Sequence, residues 1–145
     1  MLTYWHILFG ALFTFIIWVF VPRISPVYLV LIFLSSFLID FDHYMNSVIK
    51  NKKLSLFHAF EYHKKLNKKE IEEKKKGIRR KGDFHIFHTI ESHVFVAIVG
   101  LLWIGFFFVF IGMVFHSLID LAESLYRDRF YRREYFFFNW LIKRS

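Results

Sequence analysis

The fold class that the sequence predicts is all-α: an integral membrane four-helix bundle made of two transmembrane hairpins with a basic cytoplasmic loop between them. Three observations lead there. Of the 145 residues, 56% are hydrophobic and 22% aromatic, 21 of them Phe, whereas soluble domains are ~45–50% apolar. The apolar residues gather in runs close to the ~20 residues that cross a bilayer core. The charges gather elsewhere, with 20 Lys and Arg against 12 Asp and Glu for a formal net charge of +8. So apolar a chain cannot stay unburied in water, which excludes disorder, and its length bounds it to a single membrane domain over 1–145. There is no Cys, so disulfides, thiolate metal sites and Cys nucleophiles are excluded, and His, Asp and Glu are the strong ligand types that remain.

Residues 4–21, YWHILFGALFTFIIWVFV, are an uncharged run of 18 and predict a first span over about 2–21. The chain opens MLTYWH, without the basic n-region and small-residue cleavage site of a secretory signal, so the span is expected to be retained. Ser25-Pro26 has the form of an N-cap followed by Pro at the first helical position and opens a second span over 26–48. From 46 to 83 the composition turns basic, with thirteen Lys or Arg between Lys50 and Lys81, as in a solvated, partly helical loop.

Gly82-Asp83 resembles a helix start, and the chain is then apolar as far as Leu121. Short loops rich in Lys and Arg stay cytoplasmic, and the C-terminal segment is basic as well (Arg127, Arg129, Arg132, Arg133, Lys143, Arg144). An even number of spans must separate the two, which predicts spans over 84–103 and 106–125 with a turn near Gly105. The expected location is the cell membrane, multi-pass, with both termini cytoplasmic. The aromatic and basic tail over 126–145 reads as an interfacial anchor.

This topology puts the ionisable residues of all four spans in one layer. His6 falls near the cytoplasmic end of the first span, and Asp40, Asp42 and His43 fall in the cytoplasmic third of the second. His88 matches Asp120 in depth, and Glu91 matches His116, while the outer halves hold only Arg23. Ionisable residues at membrane depth are costly, so they face the bundle interior and pair with one another or with an ion. His116 and Asp120 are i,i+4 with Glu123 at i+7, and Asp40 and His43 are i,i+3, each set on one helix face. His85, His88 and Glu91 step by three, whereas His93 lies about 140° round from His88. These cannot all point inward unless the third helix begins late.

Nitrogen and oxygen donors without sulfur suit a divalent metal, zinc foremost with manganese or iron as alternatives, and the mixture of carboxylates with His suggests more than one ion. Two ions ~3.5–4 Å apart suit phosphoester chemistry, with the general base a carboxylate that is not a ligand.

The order of His6, IDFDH (39–43), HTIESH (88–93) and HSLID (116–120) resembles the membrane-bound metal-dependent hydrolases, a family described as LexA-binding and associated with the inner membrane. The resemblance spans roughly residues 3–121. That family carries an early His, a Pro-Asp-x-Asp-His motif, a His-Arg-Gly-x-Thr-His-Ser motif and a late His-x-x-x-Asp. Ile39 stands where the family has Pro, and Thr89 where it has Arg if His88 and His93 are the two family histidines. Alternatively Phe87-His88-Thr89 takes the place of Thr-His-Ser, with His85 or Asp83 upstream and Glu91 as an extra ligand. The pattern is more distantly similar to helical zinc phospholipases C and single-strand nucleases. The resemblance implies a hydrolase and names no substrate; basic residues of the middle loop can take the role of the missing Arg.

The resulting expectation is a membrane-embedded hydrolase with one to three divalent ions that cleaves a phosphoester in a lipid or lipid-linked substrate. Asp40, His88, His116 and Asp120 lead the ligand set, His6, His43 and His93 complete it, and Asp42 and Glu91 are the catalytic carboxylates. Whether His58, Glu61, His63 and His85 join stays open. The alternative is a non-catalytic membrane protein in which the same residues form a structural or sensing metal site. The basic loop is expected to meet anionic headgroups, at ~1 kcal/mol per residue near the surface, in preference to nucleic acid.

Overall fold

The computed structural model describes residues 3–143, so Leu2 of the first expected span and Arg144 of the basic tail lie outside the described residues. The described chain is all-helical: α1 (Thr3–Phe20), α2 (Pro26–Leu38), α3 (Phe41–Asn51), α4 (Leu56–Lys75), α5 (Ile90–Val99), α6 (Ile104–Tyr126) and α7 (Phe137–Ile142). Pro26 opens α2 after an extended Ser25, because its fixed φ suits the first turn and its missing N–H is not needed there.

The second apolar stretch is not one helix. It breaks at Ile39 and Asp40 between α2 and α3. The break matters to the site, since i,i+2 residues of an unbroken helix point about 200° apart. The third expected span, 84–103, is also corrected. Residues 86–88 form a single 3-10 turn, and α5 begins only after Thr89, whose side chain caps it by accepting from the Ser92 amide. With ten residues, α5 is about 15 Å long. The connection to α6 lies at 100–103, not near Gly105. Gly100 allows this close turn, because a Cβ there would stand 3.0 Å from the Phe107 amide nitrogen.

The basic loop is helical over α4. It ends where Gly77 takes φ +71° and the Ile78 amide reaches back to the Glu73 carbonyl, at 2.9 Å; this is the Schellman pattern that glycine permits. Arg129 and Arg132 pair with Glu70, Arg132 pairs also with Glu73, and the Gly82 amide donates to the Arg132 carbonyl. The segment after α6 is thereby clamped against the loop.

α2 packs on both α1 and α6, and α5 packs on α6. Small residues make these contacts close: a Cβ on Gly10 would strike Ser36 Oγ, and one on Gly112 would strike Ser35 Oγ and the Ile32 carbonyl. Burial is inverted relative to a protein in water. Among the described residues the buried hydrophobic side chains are Ile32, Ile39, Ala59 and Met113, while His6, Asp42, His88, His116 and Asp120 are buried and Leu8, Leu12, Phe15, Leu34 and Phe95 are exposed. Among the described residues two helical stretches, 26–51 and 104–126, are long and apolar enough to cross a membrane; α1 and α5 are apolar and shorter.

Candidate metal centre

Four segments deliver donors to one buried volume. α1 brings His6, the break between α2 and α3 brings Asp40 with Asp42 and His43 just beyond it, the turn before α5 brings His85 and His88, and α6 brings His116 and Asp120 from one face. The late start of α5 is what turns both His85 and His88 inward.

At the centre, His88 Nε2 and His116 Nε2 lie 3.1 Å apart. Asp120 Oδ2 is 3.6 Å from the first and 3.3 Å from the second, and Asp40 Oδ1 is 3.7 and 3.5 Å from them. The opposite ring nitrogens set the tautomers. His116 Nδ1 is 2.8 Å from the Ser36 carbonyl oxygen, and His88 Nδ1 is 3.0 Å from Asp42 Oδ2. Both partners only accept, so each Nδ1 carries a proton, and in the neutral rings each Nε2 directs a lone pair at the other. Two lone pairs and two carboxylate oxygens at these separations repel unless a positive charge, a proton or a metal ion, lies among them. Tetrahedral donors at ~2.0–2.1 Å from zinc stand about 3.3 Å apart, so the spacing fits an ion.

Orphaned atoms make the same case. His6 is buried, its ring stacks on that of His116 at 4.1 Å, and its Nε2 stands 3.2 Å from Asp120 Oδ1. Yet neither ring nitrogen of His6 makes a hydrogen bond, and Asp42 Oδ1 makes none either, although it faces His85 Nδ1 at 3.5 Å. A buried polar atom without a hydrogen bond is costly, and a cation removes the cost. Among the described residues three overlapping groups have donor atoms close enough to hold an ion: His6, Asp40, His116 and Asp120; Asp40, His43 and His88; Asp42, His43 and His85. Asp40 joins the first to the second and His43 joins the second to the third. His85 therefore belongs with the cluster, and His63 reaches its rim, with Nε2 3.1 Å from the His43 carbonyl oxygen. His58 and Glu61 are in none of the three groups.

Two expected residues are not brought to the cluster. His93 is held by the Thr89 carbonyl at Nδ1 and the Ser117 hydroxyl at Nε2, because it lies one turn inside α5 and faces α6. Glu91 accepts the amides of Phe137 and Phe138 at 2.9 and 3.4 Å and so caps α7. In their place the structure supplies Arg133, whose guanidinium donates to Asp120 Oδ2 at 2.8 Å. In the sequence Arg133 counts only as tail charge, since a separation of thirteen residues from Asp120 hides its return to the site. Beside the cluster, burial opposes ionisation of Asp83, but hydrogen bonds from Lys50 and from Tyr62 outweigh it and hold the carboxyl below its usual range. This anchors α3 and α4 to the start of the segment that carries His85.

No family model matches the chain, and no curated protein or solved structure does either. Fold and site by themselves define the class: an all-helical protein with two helical stretches of membrane-crossing length and apolarity, and buried His and Asp groups able to hold a metal ion.

Proposed function

We propose that this protein is a multi-pass cell-membrane hydrolase with cytoplasmic termini, a four-helix bundle that uses one to three divalent ions, zinc foremost, to cleave a phosphoester in a lipid or lipid-linked substrate. One observation carries the reading: facing imidazole lone pairs and carboxylates share a buried volume inside a chain whose exterior is apolar. The motif order shared with the membrane-bound metal-dependent hydrolases supports it.

When bound, such ions polarise a phosphoryl oxygen and acidify water. The chain does the rest. Asp42 orients His88 through Nδ1, and the Ser36 carbonyl orients His116, which keeps both Nε2 atoms available as donors. The Phe87 amide holds Asp42 Oδ2 at 3.1 Å, and Oδ1 faces His85 Nδ1 at 3.5 Å, where the two can share a proton or an ion. His43 is 29% exposed and Asp40 14%, so the cluster opens to substrate and water on their side. The Arg133 guanidinium beside Asp120 can bind the anionic phosphate, the role of the Arg absent at Thr89.

The test is the metal content of the detergent-purified full chain after incubation with zinc or manganese, by elemental mass spectrometry, followed by a screen of phosphomonoesters, phosphodiesters and phospholipids. One to three equivalents and cleavage of at least one ester are expected. No bound metal overturns the reading, and bound metal without cleavage assigns a structural or sensing site instead. Arg133→Gln is expected to keep its metal and lose about 10²–10³-fold in turnover, as when one donor to a developing oxyanion is removed. Arg133→Lys recovers part of that loss, because an ammonium lacks the bidentate fork. Unchanged turnover in Arg133→Gln removes Arg133 from the site.

A further inference from the structure

A groove of about 600 Å³ runs over the apolar exterior between α2 and α5. Ser35, Ile39 and Met113 lie buried in its floor, and Leu34, Leu38 and Phe95 stand exposed along its rim. One end is interleaved with the metal centre. Ile39 precedes Asp40, and Ile86 and Phe87 separate His85 from His88, so lining residues and candidate ligands alternate along two short segments and share their walls.

We propose that this groove holds one acyl chain of a phospholipid-class substrate whose phosphate lies at the metal centre, an assignment that rests on the hydrolase reading above. The chemistry of the lining selects the occupant. Its polar side chains are engaged within the protein: Ser35 with the Leu31 carbonyl, Thr89 and Ser92 with the Ile86 carbonyl, and Glu91 with the Phe137 amide. Each of these polar side chains already has a partner within the protein and the rest of the lining is apolar, so hydrocarbon is the guest that the groove suits. The volume falls within the ~300–1,000 Å³ of sites that take one small molecule. Charge completes the match, since Arg133 and any bound ion stand at the polar end, complementary to a phosphate. The groove also faces the exterior along α2, one of the two stretches long and apolar enough to span a membrane, so a lipid can enter sideways without leaving the bilayer.

The experiment uses the zinc-loaded full chain in detergent and a non-hydrolysable phosphonate analogue of phosphatidic acid that carries a nitroxide near the end of one chain. Wild type is expected to show an immobilised electron paramagnetic resonance component. Leu34→Trp and Val96→Trp, which fill the groove, are expected to abolish it with metal content unchanged, and Leu34→Ala, which leaves the groove open, keeps it. In turnover, both Trp variants are expected to shift preference toward short-chain esters by at least about ten-fold, the scale set by a few lost methylene contacts. Metal content serves as the check on folding. Immobilisation equal to wild type in both Trp variants overturns the assignment. So does equal immobilisation of an uncharged diacylglycerol analogue, and so does a wild-type dimer that Leu34→Trp converts to monomer, which gives the groove to a second copy. Immobilised lipid on a wild-type chain that binds no metal overturns the hydrolase reading and the placing of the phosphate at a metal centre, and leaves the groove as an acyl-chain site alone.

Discussion

The Asp40→Ala, His116→Ala double variant is expected to bind no metal at the first two donor groups and to lose at least about 10³-fold in turnover, the order seen when the groups that stabilise transition-state charge are removed. Asp40 is shared by two of the three groups, and His116 contributes its Nε2 to the first. The variant therefore removes two of the four donors of the first group and one of the three in the second. Elemental mass spectrometry and the ester screen read both effects, with far-ultraviolet circular dichroism as the check that the helices remain. Glu91→Gln and His93→Asn are the contrast. Both residues are bonded to backbone or to Ser117 away from the cluster, so their metal content is expected to equal that of wild type. Loss of metal in either one places it among the ligands and overturns the site described above.

Gly112→Ala is expected to lower metal occupancy although Gly112 touches no metal ligand. A Cβ at this position meets Ser35 Oγ and the Ile32 backbone carbonyl. A side chain can rotate away, but a helix backbone has to move as a unit, so α2 is pushed off α6. His116 lies one turn further along the same face of α6 and is aligned by the Ser36 carbonyl of α2, so the displacement breaks the orientation of its ring. The cost is about 1–3 kcal/mol, typical of overpacking, read as a lower melting temperature, with occupancy reduced by half or more. Gly77→Ala supplies the control: it loses a left-handed cap worth about 1 kcal/mol, far from the cluster, and keeps its metal. Equal occupancy in the two variants shows that the α2–α6 contact does not position the site.

Much of this was legible from residues alone. Runs of apolar residues place the first and fourth helices close to where they lie, because helix formation there follows from length and local composition, whereas the second stretch is divided at Ile39 and Asp40. The i,i+4 pair of His116 and Asp120 on α6 needed only helical periodicity. The place of His85 stays open in the sequence, since its inward position depends on a 3-10 turn over 86–88 and a helix that starts only after Thr89, and nothing in HIFHT outweighs the apolar run that continues a helix. The i,i+2 spacing of Asp40 and Asp42 carried a similar ambiguity, which the break after Leu38 resolves.

Sequence by itself determined the all-helical class, the basic segment and the inventory of nitrogen and oxygen donors. Composition and periodicity are local quantities, and these properties are local sums. Tertiary structure alone decided which donors meet: His6 against Asp120, His88 against His116, Arg133 folded back onto Asp120, and Glu91 turned outward to cap α7. Those meetings depend on where a helix starts and breaks and on how closely Gly10 and Gly112 let backbones approach. A shift of one residue in a helix start turns a side chain by about 100°, enough to move it from the metal centre to the exterior.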